Sequence, residues 1–206
     1  MKKTLLFLLV CICLDPVLNA QSSDDSKRAV KEGDNTINVY YGTNVRSRFY
    51  KRVASATAEN LEVKSFGPIG LVYEHMVSEI VGLGAEFGYS RTKLDYYDSY
   101  FVSGSTQNYI YTLDFTTIRA MLRANFHFAD AEKFDAYALI SIGYRRTTFR
   151  YSTTDPYDIG LSYNSLIPVG MKPGIGLRYF FTKNIGLNME LAIGTPIACG
   201  GLSFKF

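Results

Sequence analysis

Apolar and polar residues alternate with period two along most of the chain. From Ile185 the sequence reads IGLNMELAI, placing Ile185, Leu187, Met189, Leu191 and Ile193 on one parity and Gly186, Asn188, Glu190 and Ala192 on the other. That is the signature of a strand with one apolar and one polar face. The last segment repeats it, with Ala198, Gly200, Leu202, Phe204 and Phe206 opposing Cys199, Gly201, Ser203 and Lys205. The same rule organises residues 167–181, 134–145, 118–128 and 81–89, and more weakly 69–74 and 37–42. Eight strands are therefore expected. Parity breaks within residues 110–117, where Asp114 and Thr116 share the apolar face of the strand that follows. A bulge, or a strand running on beyond its apolar environment, would produce that break.

The residues opposite the apolar face decide between a soluble and a membrane β-protein. A soluble barrel keeps its apolar face inside. Here the second face carries glycines together with Glu74, Glu86, Asp135 and Glu190, and with Arg119, Arg123, Arg145, Lys172, Arg178 and Lys205. Such a face suits the polar lumen of a barrel whose other face meets lipid. Connections near residues 76–79, 129–133 and 182–184 are tight, whereas those near 44–65, 92–108 and 151–163 are long and polar. Short turns at one end and long loops at the other are the outer-membrane pattern. Outward aromatics flank the apolar band: Tyr73, Phe126, Phe128, Phe134, Tyr179, Phe181, Phe204 and Phe206 at the short-turn end, Tyr41, Phe87, Tyr89 and Tyr144 towards the loops. The expected fold is all-β, an eight-stranded antiparallel transmembrane meander barrel with a polar, filled interior.

Lys2 and Lys3 precede an apolar run from Leu5 to Leu14 that breaks at Asp15-Pro16 and reaches a small residue at Ala20. Residues 1–20 thus read as a cleaved signal peptide, since ten apolar residues fall short of the ~20 that a helix needs to span hydrocarbon. Residues 21–35 are polar and patternless and are expected to be a flexible periplasmic segment, with the barrel over 36–206. Losing the leader removes two of three cysteines, so Cys199 can form no intramolecular disulfide. Of 22 Lys+Arg and 19 Asp+Glu, the leader holds Lys2, Lys3 and Asp15, leaving 20 against 18, a net charge of +2. That balance announces no nucleic-acid partner.

The segments FHFADAEKFDAYALISIGYR, GIGLRYFFTKNIGLNMELAIG and GLSFKF resemble the porin-family outer-membrane β-barrel domain of OmpA/OmpX-like proteins. The resemblance covers about Thr36 to Phe206. It implies residence in a bacterial outer membrane after export through the periplasm. The partners it implies are outer-membrane lipid, lipopolysaccharide and the barrel-assembly machinery, the last reading Leu202, Phe204 and Phe206 as an assembly signal.

Eight strands leave an interior just wide enough for side chains, so the ten inward charges are expected to form an ion-pair network rather than to line an open pore. A narrow or gated conduit for ions or small solutes is the alternative role for the same residues. His75 and His127 show no metal-ligand spacing, and GLGAEFG lies inside a strand, so no cofactor and no metal are expected. A lipid A-modifying enzyme would resemble a His-x-Ser pair, but Ala129 follows His127 by two residues. No catalytic group is assigned. The loops are more suggestive. Arg46, Arg48, Lys51 and Arg52 make the first basic, while Tyr96, Tyr97, Tyr100, Tyr151 and Tyr157 stud the second and third. Exposed tyrosines supply rigid contact area at low entropic cost. A structural or adhesive role at the cell surface, towards an extracellular protein or glycan, is the expectation.

Overall fold

The computed structural model describes residues 28–57, 61–102, 105–129 and 131–206. In chain order the elements are β1 (Asn35–Gly42), α1 (Val45–Thr57), β2 (Leu61–Met76), β3 (Val81–Val102), β4 (Ser105–His127), β5 (Phe134–Thr153), β6 (Leu161–Asn164), β7 (Val169–Phe180), β8 (Ile185–Ala192) and β9 (Ala198–Lys205). Every neighbouring pair is antiparallel. The sheet closes because β9 pairs back onto β1, with Thr36 opposite Lys205 and Val39 opposite Leu202. The short β6 continues the β7 position along the upper part of β5, so the ring has eight places. Closure gives each backbone N–H and C=O within the ring a partner on a neighbouring strand, the requirement for crossing hydrocarbon with strands.

The outward face is apolar and bare. Leu122, Met189 and Ile142 are 72%, 65% and 55% exposed, whereas the inward Glu74, Glu86 and Arg178 are each 1% exposed. A soluble protein does not present a continuous girdle of this kind to water. On β4 the outward positions from Ile118 to Phe126 are all apolar. At about 3.3 Å per residue and a tilt of about 40° the eight steps of that run rise about 20 Å, most of the roughly 25 Å apolar height of outer-membrane barrels. The chain is a transmembrane β-barrel. The aromatic residues expected at the short-turn end are all exposed on its outer surface.

The parity break in β4 marks a change of surroundings. Pairing with β3 runs in unbroken register from Val81–Phe126 to Val102–Ser105. Above Ile118 the outward face simply turns polar, and Asp114 accepts from the Arg91 guanidinium at 2.5 Å on the outer surface. The register shift lies in β2, between Phe66 and Ile69. Gly67 sits there at φ +73, and a Cβ on it would come within 2.7 Å of the Tyr89 carbonyl oxygen. Only glycine fits that close passage without strain.

Two segments differ from the sequence expectation. The signal peptide and residues 21–27 lie outside the described residues. From residue 28 onward, however, the expected tether is docked: Ala29 and Val30 are 3% and 2% exposed and pack on Met76 and Phe180 at the periplasmic base. Arg28 donates to the Glu79 carbonyl at 2.7 Å, and Gly33 N–H to that of Met76 at 2.9 Å. Two small apolar side chains in a polar stretch gave no periodicity to read. The second difference is α1, inside the expected first loop. Asn44 is its N-cap, accepting from the Ser47 N–H at 3.2 Å.

Leu122→Arg places a charge at the middle of the girdle and is expected to destabilise the barrel in lipid vesicles by roughly 2–4 kcal/mol. Urea titration of gel mobility checks this; an unchanged midpoint would mean that Leu122 faces water.

Candidate functional site

Inward positions bring most of the expected lumen residues together in two stacked clusters. At the periplasmic level, Glu74 and Asp135 face Arg178 and His127. Arg178 bonds Glu74 through Nη2 and Asp135 through Nη1, the latter at 3.3 Å. His127 spans the same two carboxylates, with Nε2 2.9 Å from Glu74 and Nδ1 2.7 Å from Asp135. Asn125 and Thr36 donate to the remaining Glu74 positions at 2.5 and 3.2 Å. At the middle level, Glu86 and Glu190 face Arg123 and Lys172. Arg123 reaches Glu190 at 2.5 Å and Glu86 at 3.5 Å, and Lys172 reaches Glu86 at 2.6 Å and Glu190 at 3.3 Å.

Two tyrosines extend the middle cluster, Tyr40 upward to Arg119 and Tyr137 down to Arg178. Tyr40 donates to Glu86 at 2.8 Å and Tyr137 to Glu190 at 3.0 Å. The Tyr137 ring also lies against the Arg178 guanidinium, which is 4.5 Å from its centroid. Inward glycines make the room: the Tyr40 ring occupies the place a Gly70 side chain would take, and the Tyr137 ring that of Gly176. Neither tyrosine was singled out in the sequence, although both have inward parity. His127, 4% exposed, also lies inside the lumen and was not among the expected network members. Its odd parity, shared with Arg123 and Asn125, was the available signal.

Three of the ten expected network members stand apart. Lys205 lies at the base, donating to the Ala29 carbonyl at 2.6 Å with Asp34 3.6 Å away, because the docked N-terminal segment reaches it first. Arg119 and Arg145 sit one level above Glu86 and have no carboxylate partner among the described residues. The carboxylates all fall lower in the lumen, and the strand registers hold them there.

The extracellular end is one-sided. β3 and β4 have 22 and 23 residues, about twice what a tilted spanning strand needs. With the upper parts of β2 and β5 and with β6 they form a wall, while β1, β7, β8 and β9 stop near the girdle. The expected second loop is therefore a strand hairpin, and the candidate tyrosines take different roles. Tyr96, Tyr111 and Tyr151 stack across three strands on the face continuous with the lumen, with centroids 4.7 and 6.5 Å apart. Tyr111 donates to Asp155 at 3.2 Å and Tyr151 to Asp158, so the stack secures the loop after β5. The hydrogen bond to the Asp158 carboxylate pushes the Tyr151 phenol above its ordinary range. Tyr97 and Tyr157 remain available, 47% and 86% exposed. The Tyr100 side chain lies outside the described residues. Across the mouth, α1 brings Tyr50 to stack on Phe115 at 5.8 Å and Arg46 over the same ring at 4.6 Å.

No protein-family model matches the chain, and no curated protein sequence matches it. Among solved structures it is similar to Ail, the attachment invasion locus protein of Yersinia pestis, at 14% identity and a TM-score of 0.49, over 85% of this chain and 99% of that one. A structure of Ail with the heparin analogue sucrose octasulfate aligns equally, at 15% identity. The N-terminal β-barrel domain of OprF from Pseudomonas aeruginosa aligns at 14% identity and a TM-score of 0.40, over 86% of this chain and 100% of that domain. OprG from the same organism aligns at 11% and 0.44, over 88% and 99%. Likeness at this level is one of kind; the closed ring and apolar girdle carry the fold. The barrel is of the outer-membrane type.

Glu190→Gln leaves Arg123 and Lys172 short of a carboxylate in a buried layer and is expected to cost roughly 3 kcal/mol of barrel stability. Adding Lys172→Met restores the charge count and should recover part of the loss. Thermal unfolding followed by gel mobility measures both, and equal stability of all three proteins would show that the pairs contribute nothing.

Proposed function

We propose that the chain is a surface-binding protein of a bacterial outer membrane, its barrel an anchor and its protruding wall the binding element for an extracellular protein or glycan. The observation that carries this reading is the extension of β2–β6 beyond the girdle. A barrel meant only to span lipid has no use for it. Tyr97 and Tyr157 offer aromatic contact area on the wall and its loop, and the stacked Tyr96, Tyr111 and Tyr151 stiffen the sheet behind them. A rigid platform loses little entropy on binding. Export through the periplasm and recognition of Leu202, Phe204 and Phe206 by the barrel-assembly machinery belong to the same reading. Those three side chains all lie on the outer surface, where another protein can reach them during insertion.

The layer formed by Glu86, Arg123, Lys172 and Glu190 speaks against a conduit. Each is 4% exposed or less and together they fill the cross-section at that level.

Displayed on a non-adherent bacterium, the chain is expected to confer adherence to host-cell or glycan-coated surfaces at least tenfold above background. Replacing residues 98–109 by an Asn-Gly turn should abolish adherence while preserving the heat-dependent gel shift of a folded barrel. Adherence that survives the deletion removes the wall from the mechanism. Stepwise conductance of the purified barrel in planar bilayers would favour transport instead.

A further inference from the structure

The lower lumen is matched, carboxylate for cation. The upper lumen is not. Arg119 on β4 and Arg145 on β5 are direct cross-strand partners on the inward face. Like charges placed opposite one another in a sheet repel. Arg119 is 2% exposed and makes one bond, from Nη2 to the Tyr40 hydroxyl at 3.1 Å. Its Nε and Nη1 are fully buried with no acceptor. A guanidinium held away from water with two donors empty is costly, and the usual remedy is a negative partner.

Among the described residues no side chain supplies that partner. Arg145 and Arg46 line one enclosed cavity of about 30 Å³, together with Asn44, Ser90, Thr92, Phe115, Thr117 and Thr195. The lining contains no aspartate or glutamate. It offers guanidinium N–H groups and hydroxyls from three strand residues, all able to donate. The N-terminus of α1, capped by Asn44, opens at the same place and adds the positive end of its dipole. Asn44 also donates to the Thr92 hydroxyl at 2.8 Å, which fixes the helix start against the β3 wall. The position is reached from the extracellular mouth, where Arg46 is half-buried.

We propose that this cavity in the upper lumen, lined by Arg46 and by Arg145, the cross-strand partner of the buried Arg119, is a binding site for a small inorganic anion of halide size. The ion neutralises the facing arginines and completes a lumen that is otherwise compensated only in its lower levels. Size limits the occupant. The lining suits a chloride or bromide ion, and gluconate, far larger than either, serves as the poorly fitting comparison.

The direct test is diffraction from crystals of the folded barrel grown in sodium bromide. An anomalous peak within hydrogen-bond distance of Arg145 or Arg46 is expected. Water at that position, with no peak, overturns the proposal. In solution, the thermal midpoint is measured in detergent at constant ionic strength as bromide replaces gluconate. A saturable rise of roughly 3–5 °C is expected for the parent protein. Arg145→Leu should remove the bromide dependence and, in gluconate, match or exceed the parent's midpoint, because a repelling charge has gone. A purely structural Arg145 would instead leave the variant less stable in both salts with the bromide shift intact, and that result overturns the site.

Discussion

The rest of the structure depends on one constraint: within hydrocarbon a peptide group has no water to turn to. Each unpaired N–H or C=O there costs several kcal/mol, so the sheet must have no edge. The seam between β1 and β9 removes the last one. Once the ring is closed, the pleat sends alternate side chains to lipid and to lumen, and the eight places of the ring fix how much room the lumen has. Everything chemical about the interior follows from that narrow bore. Long charged side chains fit where glycines make room for them, and in the lower levels opposite charges meet.

The sequence made the ring legible because period two is a direct image of the pleat. The runs around Ile185, Ile118 and Val81 needed no tertiary knowledge to identify. Inward parity also picked out Glu74, Glu86, Arg123, Asp135, Lys172, Arg178 and Glu190, which the strands do bring together. What parity could not give is height. Arg119 and Arg145 have the same parity as the paired residues, yet stand a level above the carboxylates, and the level depends on register between strands far apart in sequence. Tyr40 and Tyr137 escaped notice for a related reason: an aromatic residue on the polar face looks like noise until Gly70 and Gly176 are seen beneath it.

The extracellular half was less legible. The polar stretch of residues 92–108 looks like a loop because, above the girdle, neither face of a strand has lipid to meet. Without an apolar face the alternation fades although the hydrogen-bond ladder continues. The helix α1 was hidden in the same way, among basic residues that meet the Phe115 ring from another part of the chain. At the base, Ala29 and Val30 are too few to make a pattern, and their burial follows from the hollow between Met76 and Phe180.

The wall rises from one arc of the barrel, and this gives the molecule an azimuth. A cylinder in a membrane looks the same from every lateral direction, whereas this one has a front and a back. Rotation about the membrane normal, free for an isolated barrel in fluid lipid, sweeps the wall like a vane. A ligand spread over a flat surface would be met by many copies, each turning until its own front faces inward. Crowding that slows rotation would then tune avidity with no change in any single contact.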